Sequence, residues 1–167
     1  MNQADERPGA RPADQADLFL SALADFLPPN RLITDEARLG AYRHDQALLV
    51  EAGTPIAAAL PIETAEVSRI LSLATRHRIA VVPRGAGTGL SGGANATDGA
   101  LVVALTKMDR ILEIDTDSQV AVVQPGVINA AVRREAAAHA LWYAADPASF
   151  EISSIGGNVA TNAGGLN

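Results

Sequence analysis

The sequence predicts an α+β fold, a β-α-β unit joined to a small mixed sheet, and three observations carry the prediction. Two short apolar runs, Ile56 to Leu60 and Ile79 to Val82, bracket a segment whose apolar residues recur at helical spacing. A glycine-dense stretch, Pro83 to Gly93, separates the second run from a third, Ala100 to Leu105. Beyond it, Ile111 to Asp115 and Val120 to Gln124 are divided by Asp115-Thr116-Asp117-Ser118, the pattern of a hairpin.

Taken in order, residues 1 to 13 hold Pro8, Gly9, Pro12 and mixed charge with no period, and read as a disordered tail. Leu18, Phe19, Ala22, Leu23 and Phe26 then define an amphipathic helix over Asp14 to Leu27, stopped by Pro28-Pro29. Thr34 and Asp35 can cap a short second helix through Leu39 and Tyr42. Residues 14–50 thus form a helical lead-in, and residues 51–167 the main domain. Within that domain Thr64 caps a helix with Val67, Ile70, Leu71 and Ala74 inward and Glu66, Arg69 and Arg76 toward water. After the hairpin, Pro125-Gly126 turns the chain into a helix over Val127 to His139, and Leu141 to Tyr143 reads as a brief strand.

Composition narrows the function. The 167 residues carry 13 Lys+Arg against 19 Asp+Glu, a net charge of −6, with one Trp and no Cys. An acidic chain so poor in aromatics offers neither a basic groove nor a stacking platform for nucleic acid. Without cysteine there is no disulfide, thiolate metal site or thiol nucleophile. No apolar stretch is long enough for a membrane span or a secretory leader, so a cytoplasmic protein is expected.

The chemistry is concentrated in Pro83-Arg84-Gly85-Ala86-Gly87-Thr88-Gly89-Leu90-Ser91-Gly92-Gly93, where five of eleven residues are glycine. So little side chain suits a loop whose main chain must come close to a ligand. Successive N–H groups in such a loop make an electropositive nest for phosphate or pyrophosphate. Gly87 to Gly92 satisfies G-x-G-x-x-G, but a dinucleotide fingerprint needs a helix directly after the glycines, and Ala94 to Gly99 is turn-forming. Gly89-Leu90-Ser91-Gly92-Gly93 matches a nucleophile elbow in letters only, since no strand-to-helix turn surrounds Ser91. A P-loop lacks its closing Gly-Lys-Ser/Thr. What remains is a strand, a long glycine loop at its carboxyl end and another strand, the place where open α/β sheets bind ligands.

A second glycine-rich loop, Ser154 to Gly165, carries Asn158, Thr161 and Asn162 between two Gly-Gly pairs. These amides and hydroxyls can hold the polar edges of a ring or a ribityl chain. Its interleaved Ile155, Val159 and Ala163 distinguish it from a flexible linker. Locally, Asp146-Pro147-Ala148-Ser149 reads equally as a capped turn and as a ligand contact.

Together with Gln124-Pro125-Gly126-Val127, these three motifs resemble, in order and spacing, the FAD-linked oxidases of the vanillyl-alcohol oxidase and PCMH type, and within them the glycolate oxidase FAD subunit and D-lactate dehydrogenases. The likeness runs from about Tyr42 to the last residue. It implies the N-terminal part of a PCMH-type FAD-binding domain, incomplete, because such proteins continue for several hundred residues into a substrate domain. The helical lead-in does no chemistry in that family.

The resemblance implies that FAD is wrapped by Pro83, Arg84, Gly85, Ala86, Gly87, Thr88, Gly89, Leu90, Ser91 and Gly92, with backbone N–H groups on the pyrophosphate. It implies further contacts from Asp146, Pro147 and Ser149, and from Ile155, Gly156, Gly157, Asn158, Thr161, Asn162, Ala163 and Gly164. The Arg84 side chain can pair with phosphate or face solvent; solvent is the favoured expectation, with its main chain used for the cofactor. Some relatives tether flavin through a histidine in this loop; Thr88 stands at the comparable place, so FAD is expected to be non-covalent.

No catalytic residue and no metal ligand is assigned. His44, His77 and His139 lie away from both loops, the last two near helix C-termini where a cation is favoured. The expected parent oxidises a small 2-hydroxy acid and passes electrons to a quinone, cytochrome or partner subunit, which could hold it peripherally at the inner membrane. The alternatives are a truncated, non-catalytic flavin- or nucleotide-binding fragment and a PCMH flavoenzyme of different substrate.

Overall fold

The computed structural model describes residues 12–47 and 49–166. The expected tail lies outside the described residues up to position 11; the backbone of residues 12 and 13 already belongs to helix α1, Pro12–Ala24. Strand β1, Leu32–Ile33, and helix α2, Glu36–Leu39, follow, the latter capped by the Asp35 carboxylate accepting from Arg38 N at 3.0 Å. A single 3₁₀ turn, Gly40–Tyr42, completes the expected short helix.

Strand β2, Ala57–Ala59, helix α3, Thr64–His77, and strand β3, Val81–Arg84, form the predicted β-α-β unit. Strand β4, Leu101–Ala104, then inserts between them, giving the sheet order β1-β2-β4-β3 with β4 parallel to both neighbours and β1 antiparallel at the edge. Both faces of this sheet are covered, so its central strands read as unbroken apolar runs. Ala57, Ala59, Leu101 and Val103 face α1 and α3 through Phe19, Leu23, Ile70 and Ala74. The alternate residues Ala58, Val102 and Ala104 pack with Ile33, Leu39, Leu60 and Ala96 on the other side.

Strands β5, Ile111–Asp115, and β6, Val120–Val123, pair antiparallel as the expected hairpin, in a sheet of their own. Helix α4, Asn129–Ala138, starts two residues later than the sequence predicted, because Ile128 is extended and bridges to Ser154; just before it Gly126 N–H donates to Met108 O at 2.8 Å, and a Cβ there would overlap the Leu105 carbonyl. Leu141 to Tyr143 forms no strand.

Other departures are local. Thr64 is the first residue of α3 and not its cap; Glu63 holds that position without a side-chain bond. Glu66 instead does the capping work, accepting from Ile62 N at 2.9 Å and from Arg31 at 2.5 Å, so it is largely buried and not in water. Leu18 and Leu71 are exposed, and the partly buried Leu73 packs against the core.

Candidate cofactor site

A cleft of ≈ 820 Å³ opens at the carboxyl end of β3. One wall is the glycine loop, through Ala86, Thr88, Gly89, Leu90 and Ser91. The other comes from residues 147–163, through Pro147, Ser149, Gly157, Asn158, Thr161 and Ala163. Two motifs far apart in sequence thus face each other across one space.

The glycine loop supplies bare main chain. Gly87 has φ +76°, a left-handed conformation that side chains resist, and the Arg84 guanidinium lies where its Cβ would project. Among the described residues, no chain acceptor takes a backbone N–H from Ala86 to Gly93; bonding resumes only at Ala94. Donors that the chain leaves free bond to water or to a ligand, and a bound anionic group can take several of them at once without any lysine.

Arg84 corrects the solvent-facing expectation. Its side chain is 9% exposed and turns behind the loop, donating to Ala94 O and Ala41 O at 3.4 Å each. Burial pushes its pKa below the ordinary guanidinium value, opposed by the charge of Asp45 and by Tyr42. The side chain therefore braces the loop from the inside.

The second wall is built differently. Ser154 to Gly165 was expected as a loop, but Ile155–Ala160 is a short helix, α5, with Ser154 Oγ accepting from Gly157 N at its start. Two backbone bonds hold it in place: Ile155 N to Val127 O and Gly156 N to Pro125 O, both 2.8 Å. Glycine's cost to a helix is met here by anchoring, since a Cβ on Gly156 would press on Pro125. Asn158 lines the cleft, yet its amide also bonds Ser153 Oγ at 3.0 Å and accepts from the fully buried Asn129 at 3.1 Å. This network ties the start of α4 to α5.

Several predicted residues lie off the cleft wall: Pro83, Arg84, Gly85, Gly87, Gly92, Asp146, Ile155, Gly156, Asn162 and Gly164. Asp146 shows why, because its carboxylate accepts from Leu166 N at 3.2 Å and its own N–H donates to Gly164 O. Conversely, Gln46, Ala148, Ile152 and Ser154 line the cleft without having been assigned to it. The last three sit inside or beside the quoted motifs. Gln46 had no such signal, coming from the lead-in.

No histidine lines the cleft. His77 packs on the Phe19 ring at 5.8 Å and bonds Gln15 at 3.2 Å, and His139 lies 3.6 Å from Glu135. Among the described residues there is no cluster suited to hold a metal ion, and no helix long and apolar enough to cross a membrane.

Residues 55–167 match the family described as FAD binding domain. The chain belongs to that family. FAD is accordingly the cofactor of the family, and a loop with donors free of chain acceptors has the chemistry to suit an anionic group such as its pyrophosphate. Similar curated proteins include glycolate oxidase subunit GlcD of Bacillus subtilis (strain 168), 47% identical over 112 residues, covering 67% of this chain and 24% of that protein. GlcD of Escherichia coli (strain K12) is 39% identical, over 95% of this chain and 32% of its own length. D-lactate dehydrogenase of Anaerostipes hadrus is 34% identical over 89% and 31% respectively. This FAD-binding chain therefore spans about a quarter to a third of the length of these relatives.

The fold is shared with alkyldihydroxyacetonephosphate synthase (TM-score 0.81, 23% identity, covering 89% of this chain and 32% of that one). It is shared too with substrate-bound p-cresol methylhydroxylase (TM-score 0.74, 20% identity, 87% and 29%). The expected PCMH-type fold is thereby borne out.

Proposed function

We propose that the cleft holds FAD non-covalently and that the chain is the cofactor-binding part of a flavin-dependent oxidoreductase acting on a small 2-hydroxy acid of the glycolate or D-lactate type. The observation that carries the reading is the glycine loop, whose N–H groups from Ala86 to Gly93 take no chain acceptor and whose Ala86, Thr88, Gly89, Leu90 and Ser91 line the cleft. The names of the similar proteins supply the substrate class.

In this reading the loop donors bind the pyrophosphate, and Ser91, Ser149 and Thr161 offer hydroxyls to the polar parts of the cofactor. Exposed Leu90 and Ile152 at the rim give apolar contact to its flat ring and exclude water there. When bound, the flavin supplies a hydride acceptor at N5. Thr88 has no nucleophilic nitrogen with which to form the tether that histidine makes in some relatives. The described wall contains no charged side chain, so the base for the substrate hydroxyl and the clamp for its carboxylate come from other parts of the active protein. Electrons leave to a quinone, a cytochrome or a partner subunit. A cytoplasmic location, with membrane association only through such a partner, belongs to the same proposal, as does the division into lead-in 14–50 and cofactor domain 51–167.

The test is a visible absorption spectrum of the purified chain after incubation with excess FAD and desalting. Retained flavin bands that are released on denaturation support a non-covalent site in this chain. A colourless protein overturns that reading.

A further inference from the structure

The lead-in was expected to stand apart from the chemistry, yet it forms the underside of the glycine loop. Gln46 N donates to Gly89 O at 2.8 Å, Ala96 N to Arg43 O at 2.8 Å, and Gly53 N to Ala96 O at 2.7 Å. At the centre of this seam is Asp45, 9% exposed. Its N–H donates to Asn95 Oδ1 at 2.7 Å, its Oδ1 accepts from Ala47 N at 2.8 Å, and its Oδ2 lies 3.5 Å from Ala94 N, the point where the loop's backbone bonding resumes. Oδ2 also lies 3.2 Å from where a Cβ on Gly89 would be, as the Arg84 guanidinium lies under Gly87. Two opposite charges are therefore buried directly behind the two glycines at the middle of the loop, with the cleft on its other side.

We propose that Asp45 is a positioning residue of the cofactor site: it fixes the loop from Gly87 to Ala94 in its donor-presenting form, offsets the buried Arg84 charge, and places Gln46 on the cleft wall. This rests on the reading of the loop as the FAD site. A carboxylate suits the task where an amide would not. It accepts from two backbone N–H groups at once through equivalent oxygens, and it counters the guanidinium that would otherwise be buried without a nearby opposite charge. Residues 43–53 lie outside the matched family region, which begins at residue 55.

Asp45→Asn, Arg84→Gln and the double variant of the full chain are titrated with FAD by flavin fluorescence, and amide hydrogen exchange is followed at Gln46, Ala47 and Ala94 without ligand. Asp45→Asn is expected to weaken FAD binding by about tenfold, the scale of a lost charged hydrogen bond, and to speed exchange at Ala94. The double variant is expected to lose less than the sum of the two single losses, because the part of Asp45's role that offsets the Arg84 charge has already gone while its bonds to the backbone have not. Damage to the fold alone would not give that coupling. Wild-type affinity in Asp45→Asn, or losses that simply add in the double variant, overturns the proposal. If the wild-type chain takes up no FAD, the reading of the site fails by itself. Exchange at Ala94 then still decides the positioning role, and unchanged protection in Asp45→Asn overturns it.

Discussion

The two glycine-rich segments look alike in sequence and behave oppositely in space. Pro83 to Gly93 leaves its N–H groups without chain acceptors and bends through a positive φ at Gly87. Ser154 to Gly165 consumes its own: Ile155, Gly156, Gly157 and Asn158 all donate to the chain, and the segment winds into α5. Glycine therefore serves two ends here. In the first segment it frees backbone donors for a ligand, and in the second it lets one backbone lie against another.

If that contrast is right, substitutions in the two segments separate binding from folding. The largest effect is expected at Gly87→Val, which forces a β-branched residue into a positive φ and onto the Arg84 guanidinium. Such strain costs about 1–3 kcal/mol at one residue, so FAD affinity measured by fluorescence titration should fall roughly tenfold to hundredfold. Unchanged affinity would remove the loop from the site. Next comes Asn129→Ala, which removes the donor to the Ala145 carbonyl and leaves Asn158 Oδ1 only the 3.4 Å bond from Ser153 Oγ. Urea unfolding should show a loss of about 1–3 kcal/mol, with FAD affinity of the folded protein nearly unchanged. A loss of affinity without a loss of stability would show instead that the orientation Asn129 gives Asn158 matters to the cofactor directly.

Smaller still, Gly156→Ala should destabilise by about 1–2 kcal/mol through overpacking on Pro125. Gly164→Ala, with open space at its Cβ, should stay within about 0.5 kcal/mol. Equal effects at the two would deny the backbone contact its role. The smallest effect concerns Glu66, remote from both segments. Burial raises its pKa, but the bonds from Arg31 and Ile62 outweigh this and hold it below the ordinary value of 4.5. A carboxyl with a depressed folded pKa stabilises above its unfolded pKa and loses that contribution as pH falls through the folded one. Stability of the wild type should thus drop below about pH 4.5, and Glu66→Gln should flatten that part of the profile. An identical profile in the variant would assign the acid sensitivity to other groups.

Much of the fold was legible because its signals are local. Ile79 to Val82 and Ala100 to Leu105 are apolar runs long enough for buried strands, and the polar residues between Ile114 and Val120 mark a turn. The insertion of β4 between β2 and β3 was not legible, since nothing in the letters of a buried strand names its neighbours. Nor was α5, whose glycines argue against a helix while its anchoring to Pro125 and Val127 is long-range. The cleft's two main walls could be read from glycine density. Gln46 could not, because it reaches the cleft through a seam of backbone bonds between segments 43–54 and 89–99.

The strand order also dictates when the cleft can exist. In the finished sheet β2 and β3 do not touch; each is bonded to β4. During folding, the β-α-β unit therefore has no ladder to close until Leu101 to Ala104 arrives. That arrival must first close the long glycine loop, an entropic cost that stiffening side chains would have lowered. The sheet and the glycine-loop wall of the cleft are therefore expected to form together. Anything that grips the closed loop draws on the same equilibrium, so FAD at a concentration well above its Kd should raise the melting temperature of the whole sheet and not merely of the loop.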